Sequence, residues 1–194
     1  MKLLVSLTLL SISIAAPARA GVNGRAVAAY VNVPSLGVSD VAVADTGAIP
    51  TDGGWAGATA QTAAVGGVLT ADTIVSSASG ALTGASAASS ASLSNVVILP
   101  GAPASVTASF VRSQVSVTGS GAGGYSEIGS LTFGGSAIPV TGLPNQTVSL
   151  LGVATLIINQ QTPTAQGLVV NALHLILATG EEVILSSASS SISQ

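Results

Sequence analysis

Ser86-Ala87-Ala88-Ser89-Ser90-Ala91-Ser92-Leu93-Ser94 is the stretch on which the reading of the fold turns. Its alanine content alone favours a helix, since alanine has the highest helical propensity. The spacing argues otherwise. Ala85, Ala87, Ala91 and Leu93 fall on odd positions and Ser86, Ser90, Ser92 and Ser94 on even ones. That period of two puts apolar and polar side chains on opposite faces of an extended chain. The segment between Ala81 and Leu99 is therefore expected as a long strand with one serine-covered face, closed by Pro100-Gly101.

Outward from this stretch, turn clusters punctuate the chain at short intervals, and the segments between them alternate or are rich in Val, Ile and Thr. Arg25 to Val33 predicts a first strand, with Arg25, Val27, Ala29, Val31 and Val33 on one face and Ala26, Ala28 and Tyr30 on the other; Pro34 ends it. Val38 to Ala44 follows, then a loop carrying Gly47, Pro50, Asp52, Gly53, Gly54 and the single Trp55. Ala58 to Val65 and Val68 to Ser79 read as strands around Gly66-Gly67. From Ala104 to Thr118 the parity changes: Val106, Ala108 and Phe110 are even, Val111, Val115 and Val117 odd. A bulge near Phe110-Val111, or a strand passing from one sheet to another, produces that switch.

Gly119 to Gly124 reads as a flexible connection, Ser126 to Phe133 and Ser136 to Val140 as strands, and Leu143-Pro144-Asn145 as a turn. Val148 to Ile158 is apolar on both faces and is expected as a strand central in the core. Gly167 to Ala178 and Glu182 to Ser187 predict a hairpin around Thr179-Gly180-Glu181. Leu69-Thr70-Ala71 with Ile74 and Ser76 echoes Val106-Thr107-Ala108 with Val111 and Ser113, but no fixed period continues it, so no solenoid is expected. The fold expected is all-β: a single-domain antiparallel β-sandwich, jelly-roll-like, of roughly ten strands over residues 21–194.

The first twenty residues read as a secretory signal, with Lys2 as the positive start, an apolar run from Leu3 to Ile14, and Ala18-Arg19-Ala20 as the cleavage site. Without them two Arg stand against seven Asp and Glu, a net charge of −5, with no lysine and no cysteine. The chain thus has no cationic footprint for nucleic acid or anionic lipid, no disulfides or thiolate metal sites, and no lysine for an isopeptide cross-link. Its apolar run is too short for a spanning helix and no transmembrane segment is expected in the mature chain. Secretion is the expectation, to the extracellular space or cell surface, with the periplasm as a second destination.

Val106-Thr107-Ala108-Ser109-Phe110-Val111-Arg112-Ser113, Pro144-Asn145-Gln146-Thr147, Ile158-Asn159-Gln160-Gln161-Thr162 and Val170-Asn171-Ala172-Leu173-His174-Leu175 together resemble the choice-of-anchor P family of exported bacterial proteins. Gly67-Val68-Leu69-Thr70-Ala71-Asp72 resembles it too. The likeness covers residues 50 to 190 and implies surface or extracellular residence with a C-terminal anchoring signal. Ser186 to Gln194 departs from that pattern, having neither an apolar tail nor a basic terminus. The resemblance implies no catalytic activity.

Reactive groups are few. His174, the single histidine, is expected on a face with Val170, Ala172 and Ile176 as a structural, hydrogen-bonded residue; no G-x-S-x-G serine or neighbouring acid points to a triad. Gly119, Gly121 and Gly124 fit G-x-G-x-x-G but precede a strand, not the helix a dinucleotide site requires. Asp40, Asp45 and Asp52 are oxygen donors without calcium-loop spacing, so no metal and no cofactor is expected. Asp72 and Arg112 occupy matching places in the two echoing segments and are expected as structural charges, paired together or Arg112 with Glu127. Trp55, beside Asp52, is the candidate for stacking on a sugar ring. The expected function is that of an exported, non-enzymatic cell-surface or matrix protein, structural or adhesive. Its expected partners are itself, through strand edges, or other matrix components; the alternative is a module that binds a glycan or small ligand.

Overall fold

The alternation from Ser86 to Ser94 is realised as the middle strand of a sheet. The computed structural model describes residues 20–193, so the leader up to Arg19 lies outside the described residues. Thirteen strands follow in order: β1 (Gly21–Val33), β2 (Val38–Asp45), β3 (Gly53–Val65), β4 (Leu69–Ala81), β5 (Ser86–Ile98), β6 (Val106–Thr118), β7 (Gly121–Gly129), β8 (Thr132–Phe133), β9 (Ser136–Ala137), β10 (Gln146–Leu150), β11 (Ala154–Thr164), β12 (Gly167–Leu177) and β13 (Glu182–Ser193). They form two antiparallel sheets, β10-β11-β12-β13-β1-β2 and β3-β4-β5-β6-β8-β9, with β7 also paired to β6. β12, β13 and β1 of the first sheet lie across β4 to β7 of the second. This is the expected antiparallel sandwich. Its connections are those of two meanders, in which consecutive strands are neighbours, rather than the crossed order of a jelly roll. β1 joins β13 and so brings the two ends of the described chain together.

Gly119 to Gly124 is not a free connection: Gly121 begins β7 and the glycines pair with Val115 to Thr118. Val148 to Ile158 is not one central strand but the hairpin of β10 and β11, with β10 at the sheet edge. Its turn is hidden in an apolar run, where Leu151 stands 87% exposed and Gly152 supplies a φ of 75°. Trp55 belongs to the start of β3, not to the preceding loop.

One feature organises both sheets. The inward parity of β4 changes around Thr73, that of β5 around Asn95, and that of β6 between Ala108 and Val111. The last of these is the switch expected near Phe110-Val111. In the other sheet the changes fall at Ala28-Ala29 on β1, Ala172-Leu173 on β12 and Ser186 on β13. A further step falls at Ile158-Asn159 on β11, and Thr73, Asn95, Asn159 and Ser186 take a positive φ at their steps, the mark of a bulged backbone. Ladder partners carry each line across its sheet: Ser94 faces Phe110, and Leu185 faces both Leu173 and Ala29. The echo between residues 69–76 and 106–113 is thus the sequence form of one shared bulge.

One large cluster spans the bulge lines and joins Leu69, Ile74, Leu93, Ile98, Leu156, Ile158, Leu173 and Leu185. Burial of large aliphatic side chains there contributes about 1.5–3 kcal/mol each against exposure. Farther along the strands, beyond Ile74, Leu93 and Val111, the facing residues are mostly small, and among the described residues two minor clusters form there, around Val115 and Val170 and around Val22 and Ile49. Between them the sheets meet through hydroxyls. Ser89 Oγ reaches the Ser189 carbonyl and Ser190 Oγ, both at 2.9 Å. Ser186 Oγ accepts the Ser113 N–H and donates to the Ala91 carbonyl, both at 2.7 Å. Buried hydroxyls are tolerated where they are paired in this way.

Candidate functional site

Two surfaces gather polar or aromatic groups, one on each outer face. On the first sheet, the bulge at Ala172-Leu173 turns His174 away from the core. It therefore shares the outer face with Ile176 but not with Val170 and Ala172, which point inward, and the expected grouping is corrected in that respect. Its Nδ1 lies 3.0 Å from Gln160 Oε1, and its Nε2 2.7 Å from Glu182 Oε2, an ion pair when the ring is protonated. Gln160 Oε1 also accepts Asn171 Nδ2 at 2.8 Å. Both ring nitrogens thus meet side chains, and this contact set links β11, β12 and β13.

The stretches Asn159-Gln160-Gln161 and Asn171-Ala172-Leu173-His174 therefore meet through Gln160. The Pro144-Asn145 turn joins them, because Asn145 Oδ1 accepts the Gln161 N–H at 2.9 Å. Gln161 Nε2 donates to the Gly124 carbonyl at 3.1 Å, tying the first sheet to β7 of the second. Asn159 Nδ2 donates to the Gly142 carbonyl at 3.1 Å. These blocks are separate in the sequence, and it is the ladder registers between strands that bring them together.

The charged residues go to separate partners. Arg25 forms a two-pronged pair with Asp45, Nε to Oδ1 at 2.9 Å and Nη2 to Oδ2 at 2.5 Å. The guanidinium holds the Asp45 carboxyl below the usual carboxylate range; partial burial opposes this and the Gly47 N–H assists it. Asp40 accepts the Tyr30 hydroxyl at 2.5 Å, which pushes the phenol up. Asp40, Asp45 and Asp52 are thus not brought together, and no group of three metal-capable side chains forms among the described residues. Arg112 pairs with Glu127 at 3.6 Å, the second of the expected alternatives, while Asp72 accepts Asn95 Nδ2 at 3.2 Å. Glu181, in the turn before β13, takes the Ser35 N–H at 2.6 Å and hydroxyl at 2.8 Å, and these bonds with Thr179 lower its carboxyl.

On the second sheet Trp55 is 72% exposed at the start of the edge strand β3. Its six-membered ring lies over Gly57, where an added Cβ would come within 2.5 Å of Cη2. Glycine at 57 is what allows the indole to lie along the strand. Asp52 is not its partner: it lines a depression with Gly21, Leu82 and Ser193 beyond the end of β3.

Comparison with protein-family models, with curated proteins and with solved structures finds no match for this chain. Among the described residues no helix is long and apolar enough to cross a membrane.

Proposed function

We propose that this chain is an exported, non-enzymatic structural or adhesive module of the cell surface or extracellular matrix, which joins to a second copy of itself through strand β3. Export rests on the reading of the first twenty residues, and surface residence on the resemblance to the choice-of-anchor P family. The observation that carries self-association is the edge itself. β3 runs for thirteen residues and, among the described residues, has β4 as its one ladder partner. It holds no charged residue and no proline, and its register with β4 runs from Gly53 to Val65 without a shift. An edge of this length, about 43 Å, normally carries a lysine, a proline or a bulge that discourages pairing with another chain.

The other edges are guarded. β2 carries Asp40 and Asp45, β7 carries Glu127 and has its Gly124 carbonyl occupied by Gln161, and β9 and β10 are short. β3 therefore meets β3, and the product is a closed two-fold dimer with a continuous sheet across it. Sedimentation velocity over a range of concentrations tests this: a dimer is expected, reduced to monomer by Thr59→Lys with Gln61→Lys, two exposed positions on β3. A parent protein that stays monomeric at all concentrations, or a dimer indifferent to the lysines, defeats the reading.

A further inference from the structure

We infer that the outer face of the β3-to-β7 sheet is a binding platform for a neutral polysaccharide, with Trp55 and Tyr125 as its two stacking residues. The inference stands apart from assembly through β3, because every group it uses belongs to one copy. Its starting point is the register. Gly57 faces Ser77, Ser77 faces Ser90, Ser90 faces Gln114, and Gln114 faces Tyr125. These five residues form one straight row across β3, β4, β5, β6 and β7. The Trp55 ring occupies the first place in that row because it lies over Gly57. Tyr125, 45% exposed, occupies the last. The two most exposed aromatic rings of the described chain thus stand at opposite ends of one line.

Four strand spacings separate those ends, about 19 Å, the span of a short oligosaccharide. Between them lie groups suited to sugar hydroxyls. Ser77 and Ser90 face outward, since Ser76, Ala78, Ser89 and Ala91 on either side of them are buried. Gln114 Oε1 accepts the Tyr125 hydroxyl at 2.6 Å and Arg112 Nη2 at 3.4 Å. That arrangement fixes the amide and leaves Nε2 to donate to a ligand. Beside Tyr125 the surface dips into an open depression floored by Gly121, Gly123 and Gly124, and rimmed by Gln114, Ser116 and Thr118.

Charge selects the class of ligand. Arg112 and Glu127, the ionised side chains next to the row, pair with one another, and Asp72 lies farther along β4 beyond the bulge, so the row itself offers no unpaired charge to select an anionic or cationic polymer. Aromatic rings with a polar tip or edge, set among hydroxyls and an amide, suit a ligand that is apolar on its ring faces and hydroxylated at its rim. A neutral polysaccharide has that character.

The test is affinity electrophoresis of the purified protein in gels containing soluble neutral glucan, xylan or mannan, with retention on insoluble cellulose and chitin as a second arm and polygalacturonate as the anionic control. Retardation by at least one neutral polymer is expected, weakened tenfold or more by Trp55→Ala and by Tyr125→Ala. Both residues are exposed, and an unchanged β-sheet circular dichroism spectrum confirms that the variants are folded. Retardation is expected to be the same at protein concentrations where the chain sediments as monomer and as dimer, which separates this result from the fate of the dimer. No retention on any neutral polymer, retention on polygalacturonate alone, or retention untouched by both alanine variants overturns the inference.

Discussion

Ser186 Oγ on β13 accepts the backbone N–H of Ser113 on β6 at 2.7 Å, across the space between the two sheets. The same hydroxyl donates to the carbonyl of Ala91, the residue directly opposite Ser113 on β5. It reaches this place because Ser186 is a bulge residue, with a φ of 55°, whose side chain turns inward beside that of Leu185. A local backbone irregularity in one sheet thus supplies the polar contact that holds the other.

Ser186→Ala removes a buried hydroxyl with two main-chain partners and leaves an amide and a carbonyl unsatisfied. The expected loss is about 1–3 kcal/mol. Ser186→Gly is expected to lose stability as well, although glycine accepts the positive φ freely, because the hydroxyl and not the backbone freedom holds the contact. Urea unfolding followed by circular dichroism measures both. A midpoint unchanged in Ser186→Ala contradicts the account.

Ser76 is the counter-case. It is buried on the inner face of β4, and its Oγ has no hydrogen-bond partner among the described residues. Here the desolvated hydroxyl is a cost without a return contact, so Ser76→Ala is expected to leave stability unchanged or raise it by about 1 kcal/mol. The contrast between two buried serines, read in the same unfolding experiment, distinguishes paired from unpaired hydroxyls. A loss in Ser76→Ala comparable to that in Ser186→Ala counts against the distinction.

The parity change on β6 was legible in the sequence because large residues, Phe110 and Val111, stand on either side of the step. Those at Ala28-Ala29 and Ala172-Leu173 were not, because apolar residues fill both faces at those steps. The misplacement of His174 relative to Val170 and Ala172 follows directly from that. The turn at Leu151 to Val153 was concealed for a related reason, since its residues are as apolar as the strands they join, and Gly152 was the one local signal. Contacts such as Gln160 with His174, or the alignment of Trp55 with Tyr125, depend on ladder registers between strands. No local pattern in a single segment contains that information.

Thr73 tests the bulge line without disturbing the core. Its side chain is exposed, yet its φ is 45°, a region that β-branched residues resist. The corresponding steps on β5 and β11 carry Asn95 and Asn159, residues that enter it more readily. Thr73→Asn is expected to stabilise the protein by up to about 1 kcal/mol, and Asn95→Val to destabilise it by about 1–2 kcal/mol. Thermal melts provide the check, and a fall in melting temperature for Thr73→Asn argues against a backbone origin.

Acid should weaken the fold through Asp45 and Glu181, both of whose carboxyls are lowered in the folded chain. The Arg25 guanidinium is the main cause at Asp45, and the Ser35 and Thr179 hydroxyls are the main causes at Glu181. Because the folded values lie below the unfolded ones, about 3.9 for Asp and 4.3 for Glu, the unfolded chain takes up protons first. The contribution to stability is thus complete above pH 5 or so and is lost as pH falls through the folded values. At neutral pH the exposed two-pronged pair of Arg25 and Asp45 is worth about 0.2–1 kcal/mol, which Asp45→Asn should remove. That variant should also show a shallower fall in its urea midpoint between pH 5 and pH 2 than the parent, and Arg25→Ala should do the same. Parallel acid profiles for parent and variants would show that Arg25 exerts no such hold on Asp45.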